Sequence, residues 1–227
     1  MSVQMQTFGS REEWLQARKN YLGGSDAAAA IGKSPWKDNV TLWMEKTGQA
    51  AAEDISGKPY VKYGTAAESH LRELFRLDFP EFEVCYEENN MWTNDRFPWA
   101  HYSADGWLLQ KVIAHDGTEQ VRRGLLEIKT TIIQSAAQYA KWQDNNIPDT
   151  YYCQLLHGLM VTEFDFAVLK AQMKFERDGD IELRTKHYSV EMSDAVKADI
   201  ENLVEGERAF WQHVQSRKQP SLILPEI

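Results

Sequence analysis

A chain of 227 residues with 43% hydrophobic content can bury one large core, and no Pro-, Ser- or Gly-rich linker divides it, which reads as one domain over residues 1–227. The formal charge of −9 argues against simple duplex binding, in which Lys and Arg replace counterions along the phosphates; an asymmetric spread of the 25 basic residues, metal ions at an acidic site or several subunits around one duplex would reconcile the two. No apolar run approaches the roughly 20 residues that span a bilayer and the N-terminus lacks a basic-then-apolar leader, so no membrane role and a cytoplasmic location are expected, while Cys85 and Cys153 lack disulfide or zinc spacing and read as buried thiols.

Ser10-Arg11-Glu12-Glu13 resembles a capping box and predicts a helix over about 11–20 that displays Trp14 and Arg18 one turn apart. Gly23-Gly24 is expected to end that helix, with Ser25 as N-cap of a short second helix through Ala30, stopped by Gly32. The free N–H groups of such a helix start, the Ser25 hydroxyl and the Arg18 guanidinium would make an anion site. Trp36, Trp43, Trp92, Trp99 and Trp107 lie in segments that read as core more readily than as a base-stacking platform. Over 60–79, Tyr63, Ala67, Leu71, Leu74 and Phe75 recur at a helical period, with Glu68 at the edge of that face.

Residues 106–114 and 121–130 are β-compatible runs flanking the polar stretch 115–120 with its Asp116-Gly117 turn signal, so they predict a hairpin. A register allowed by an odd-length loop or a bulge sets Asp105 opposite Glu127 on one face; a tight two-residue turn would put them on opposite faces. Lys129 then projects beside Glu127 while Ile128 points into the core. Two carboxylates can hold a divalent cation that withdraws charge from a phosphodiester and acidifies a water, and a nearby Lys can orient or deprotonate that water.

A helix over about 150–161 carries Gln154, strands are expected over 164–175 and 181–190 around Asp178-Gly179, and a long helix over 193–217 has an apolar stripe through Leu203, Phe210 and Trp211 that suits either the core or a subunit contact. No HxH or HExxH cluster exists; His101 and His157, the two histidines near the proposed site, read as structural. The element order suits an α/β fold, a mixed central β-sheet flanked by helices with a metal site at one edge.

The Asp105, Glu127-Ile128-Lys129 pattern resembles the signature of the PD-(D/E)xK nuclease superfamily, with Ala104 where that signature often has Pro. Five blocks in order, Trp14 with Arg18 and the run 23–32, then 42–48, 64–68, the Asp/Glu-x-Lys set and 154–160, are similar to the YqaJ-type viral recombinase, or phage lambda exonuclease, family. That resemblance implies a restriction-endonuclease-like core and a Mg2+-dependent enzyme, with Mn2+ as substitute, that digests linear duplex DNA 5′ to 3′ and leaves 3′ tails for single-strand annealing recombination. It implies Asp105, Glu127 and the Ile128 carbonyl as metal ligands, Lys129, Glu68 and Gln154 as further catalytic residues, and Arg18 with Ser25 as the 5′-phosphate site. It also implies a ring-shaped homotrimer, a phage-encoded single-strand annealing partner, and phage or prophage origin in a bacterial host cytoplasm. A restriction-type endonuclease on the same core and a non-catalytic DNA-end-binding module remain alternatives.

Overall fold

The computed structural model describes residues 2–114 and 116–224, so His115 of the predicted hairpin loop lies outside the described residues. In chain order the elements are β1 (Val3–Thr7), α1 (Arg11–Arg18), β2 (Leu22–Gly23), α2 (Gly24–Ala30), α3 (Asn39–Lys46), α4 (Pro59–Asp78), β3 (Phe82–Cys85), β4 (Asn90–Asn94), β5 (Ala100–Tyr102), β6 (Gly106–Ile113), β7 (Glu119–Ile133), α5 (Ala136–Ala140), α6 (Asp149–Thr162), β8 (Phe166–Arg177), β9 (Asp180–Glu191) and α7 (Asp194–Ser216). The strands form two sheets, a five-stranded one in the order β3-β6-β7-β8-β9 and a four-stranded one in the order β1-β4-β5-β2.

Local chemistry accounts for several boundaries. Ser10 accepts a hydrogen bond from the Glu13 N–H and starts α1; Ser193 does the same for α7 through Val196. Pro59 opens α4, where its missing N–H costs nothing. The β8–β9 turn places Asp178 and Gly179 at φ of 52° and 89°, the left-handed pair that a tight hairpin requires.

β6 and β7 pair antiparallel from Gly106 opposite Leu126 to Ile113 opposite Glu119. The residues between Ile113 and Glu119 are odd in number, and of the two registers open from sequence this one sets Asp105 and Glu127 on one face. β7 is the middle strand of its sheet, pairing in parallel with β8 along its other edge. The site therefore lies mid-sheet rather than at a sheet edge. β6 stops pairing at Gly106 whereas β7 runs on to Ile133, and this difference in length opens a notch beside Glu127.

The two faces of the sheet are covered differently. Leu71 and Phe75 of α4 pack on Leu108, Leu126 and Ile128. The opposite face holds Leu125, Leu169, Ala171 and Met173 against Leu155 and Leu159 of α6, a helix buried almost throughout from Leu155 to Thr162. Each such leucine taken wholly out of water contributes roughly 1.5–3 kcal/mol. α7 seats Leu203 and Phe210 in the core with Ile200, Val204 and Trp211 alongside, so its stripe belongs to the chain's own interior.

Further sequence expectations change. The buried face of α4 is narrower than its period suggested, with Tyr63 39% and Leu74 49% exposed. Trp43 and Trp99 are buried and Trp92 and Trp107 half-buried as core, but Trp36 stands 70% exposed. α1 ends at Arg18, and Gly23-Gly24 serves close packing rather than a turn: a Cβ at Gly23 would meet the His101 ring at 2.9 Å and one at Gly24 the Tyr102 ring at 3.0 Å. Ser25 is not the N-cap of α2; Gly23 holds that position, and its N–H donates to Asp26 Oδ2 at 3.2 Å. Of the cysteines, Cys153 is buried and Cys85 half-buried, both free.

Candidate functional site

Asp105 sits where the chain leaves the sheet, and three neighbours hold it. The Asn90 side chain brackets the preceding residue, donating to the Ala104 carbonyl and accepting from the Ala104 N–H, each at 2.8 Å. A proline in place of Ala104 would have no N–H to give that second bond. The Asp105 carbonyl accepts from Arg72 Nε at 2.5 Å, and its carboxylate accepts from the Ile128 N–H at 2.8 Å. That carboxylate takes the place of the strand partner that β6 no longer supplies. Because N–H and C=O of one strand residue leave by the same edge, the Ile128 carbonyl is directed into the same notch.

Glu127 is 1% exposed and fully engaged. Its Oε1 accepts from Gln154 Nε2 at 2.6 Å and pairs with Lys129 Nζ at 2.6 Å; its Oε2 accepts a short hydrogen bond from the Tyr102 hydroxyl. Glu68 approaches from α4, paired with Arg72 at 2.5 Å one helical turn on. The structure thus brings Asp105, Glu127, Lys129, Gln154 and Glu68 to one notch, α4 on one side and α6 on the other.

The field in the notch is strained toward negative. Burial and the Glu127 charge, with a smaller push from Glu68, hold the Asp105 carboxyl well above its ordinary range, against the pull of Lys129 and the Ile128 N–H. Burial and Glu127 likewise raise Glu68, although Arg72 opposes them. Burial works against the Lys129 ammonium, but Glu127 and Asp105 outweigh it and raise its pKa, so the side chain is a firm cation. Burial and Glu127 also keep Tyr102 a neutral donor.

Three crowded carboxyls beside one ammonium are what a small dication relieves. Among the described residues no group of three or more His, Cys, Asp or Glu stands at metal-ligand spacing, so a cation here would take Asp105, Glu127, the Ile128 carbonyl and water. An all-oxygen set with few protein ligands fits Mg2+ rather than Zn2+.

The anion site is less complete. Arg18 is half-buried, its guanidinium 4.2 Å from the centroid of the Trp14 ring, and burial lowers its pKa against the pull of Asp26 and Asp105. Trp14 Nε1 in turn donates to the Asn90 carbonyl and to Ser103 Oγ, fastening α1 beside the notch. Ser25 is exposed on the first turn of α2, whose Gly24 packs against Tyr102 and Gln154. Asp26 is paired with Lys46 at 2.7 Å, so this helix start already carries a neutralised carboxylate.

His101 and His157 are buried beneath the site. His157 Nδ1 meets Glu207 Oε1 at 2.7 Å and Nε2 meets the His101 carbonyl at 2.9 Å, so both ring nitrogens face oxygen acceptors. Burial and the Arg18 charge hold His101 well below the usual imidazole range. Tyr102, Arg72 and Asn90 were absent from the sequence reading. Arg72 left a signal, its i,i+4 spacing from Glu68; the bonds from Tyr102 and Asn90 join residues without such periodicity.

A family model described as the YqaJ-like viral recombinase domain matches residues 13–165. The YqaJ protein of Bacillus subtilis (strain 168) is 31% identical over 183 residues, 76% of this chain and 52% of that protein, so the chain spans about half the length of this relative. An alkaline exonuclease, LHK-Exo, from Laribacter hongkongensis superposes with a TM-score of 0.60 at 19% identity, covering 91% of this chain and 93% of that one. Its complex with dAMP gives 0.61 at 18% identity and the same coverage. A phage related exonuclease from Haemophilus somnus 129PT gives 0.51 at 11% identity over 87% of this chain and 96% of its own. These structures share the α/β fold, and the family model spans most of the chain, notch and α6 included: the chain belongs to the YqaJ-like viral recombinase family.

Proposed function

We propose that this chain is a single Mg2+-dependent nuclease unit, with Mn2+ as substitute, that digests one strand of linear duplex DNA from its 5′ end and leaves a 3′ tail for single-strand annealing. The observation that carries the reading is the convergence of Asp105, Glu127 and Lys129 in a notch where Glu127 is oriented from both sides by Tyr102 and Gln154. Membership of a recombinase family and a fold shared with an alkaline exonuclease captured with dAMP support the same direction.

Bound Mg2+ would supply positive charge at the phosphoryl oxygens and acidify a water. Asp105, Glu127 and the Ile128 carbonyl would hold it. Lys129, held beside Glu127, would orient or activate the water and meet charge developing on the phosphate. Glu68, steadied by Arg72, would accept a hydrogen bond on the water side, and Gln154 would keep one Glu127 oxygen aimed into the notch. Arg18 and Ser25 would receive the 5′ phosphate. A homotrimeric ring would offset the net charge of −9 by summing weak contacts around the duplex, and a single-strand annealing protein of the same phage would take up the 3′ tail.

The test is digestion of linear duplex labelled separately at each end, beside a covalently closed circle, with Mg2+ or chelator. Release of the 5′ label first, intact circles and no reaction in chelator are expected. First release of the 3′ label reverses the polarity, cut circles favour the endonuclease alternative, and end binding without cutting favours the non-catalytic one.

A further inference from the structure

All eight Trp residues lie among the described residues, and of them Trp36 alone is exposed. It lies between α2 and α3 in a turn that Ser34 organises, its Oγ accepting from both the Trp36 and Lys37 N–H groups at 3.3 Å. Lys37 is tied to Glu45 of α3, so the indole is presented from a braced turn. Its ring neighbour is Tyr151, at 6.2 Å between centroids and tilted 49°. Tyr151 also packs on Trp142, at 5.3 Å between centroids, and has the Lys129 ammonium 5.9 Å from its ring centroid. One exposed indole is thus joined through a single half-buried aromatic to the cation beside Glu127.

We infer that Trp36 is a stacking platform for an unpaired nucleobase of the strand whose phosphate lies at Lys129. This deepens the nuclease reading and rests on it. A strand opened at a duplex end exposes bases with apolar faces, and a flat indole takes any of the four, which suits an enzyme indifferent to sequence. Lys33, with its side chain 44% exposed and its ion pair with Asp149 long, stands ready to follow the backbone of that nucleotide.

The test is a double-mutant cycle on the full chain with Ca2+ in place of Mg2+, binding being read by anisotropy of labelled DNA with a short unpaired end. Trp36→Ala should weaken binding about tenfold and Trp36→Phe should restore most of it, in keeping with the usual worth of one base–aromatic stack. Replacing one of the first three nucleotides of either strand by an abasic residue should abolish the difference at one position. Unchanged binding by Trp36→Ala, or an equal loss on every abasic substrate, overturns the inference; the equal loss would mark the indole as a contact for backbone or for a protein partner. Failure of the nuclease reading shows separately, as absence of digestion by the unaltered protein in Mg2+, and leaves the binding cycle readable.

Discussion

The Tyr102 hydroxyl donates to Glu127 Oε2 across the junction between the two sheets, joining the last residue of β5 to the middle of β7. With Gln154 on the other oxygen, Glu127 has no freedom to rotate away from the notch. Groups that orient a metal ligand typically account for 10–100-fold in affinity or activity. Tyr102→Phe should therefore weaken Mg2+ binding about tenfold or more, measured by calorimetry on the protein without DNA, and kcat should fall in step.

Lys129→Ala removes the ammonium that pairs with Glu127. Digestion of linear DNA should drop by about 100-fold or more, the scale of losing one electrostatic group at a reacting phosphate. Circular dichroism should show the fold retained, and digestion at the unaltered rate would sink the assignment.

Arg72 does three things with one guanidinium: it pairs with Glu68, donates to the Asp105 carbonyl and lies 3.4 Å from the Tyr86 ring centroid. Arg72→Ala leaves Glu68 and that carbonyl without their partner and should cost about 3 kcal/mol in denaturant unfolding, the low end for a buried pair because Glu68 is partly solvated. Arg72→Lys keeps the charge without the planar fork and should recover less than half of the loss.

A proline at position 104 should harm this chain. Ala104→Pro deletes the N–H that Asn90 Oδ1 accepts and strands a buried amide oxygen, at a cost of about 1–3 kcal/mol. A thermal shift of several degrees downward checks this, with reduced digestion because the segment leading to Asp105 loosens.

Stability should depend on pH through His157. Burial alone would lower its pKa, yet the Glu207 charge and hydrogen bond, helped by the His101 carbonyl and Asp26, raise it above the ordinary value of about 6.5. The folded state then binds the proton more tightly than the unfolded chain, so this contribution is full below about pH 6.5 and fades as pH climbs through the elevated folded value. A Tm series from about pH 6 to 9 should slope downward. Glu207→Gln should flatten that slope; an unaltered slope would show that His157 is not its source.

What could be read in the sequence was what local chemistry encodes. Ser10 caps its helix and Asp178-Gly179 turns its hairpin, whereas the hairpin that carries Asp105 and Glu127 left two registers open, between which only the fold decides. In the four-stranded sheet, β2 with two residues and β5 with three are too short to show a period. Ser25 and Asp26 are adjacent and both suit a helix start, so residue type could not tell which one bonds to the backbone. Trp36 sits among five tryptophans of similar surroundings in sequence, and only packing separates the one left outside. The supports of the site, Tyr102, Asn90 and Arg72, act through bonds that depend on the finished fold.

β7 outlasting β6 has one more consequence. Reactive groups set on a central strand inherit the stiffness of the sheet, whereas Trp36, Ser25 and Arg18 stand on a turn and short helices around its rim. On the nuclease reading, chemistry and substrate choice would be housed in separable parts, and redesign of what this molecule grips would proceed at the periphery without disturbing the floor beneath.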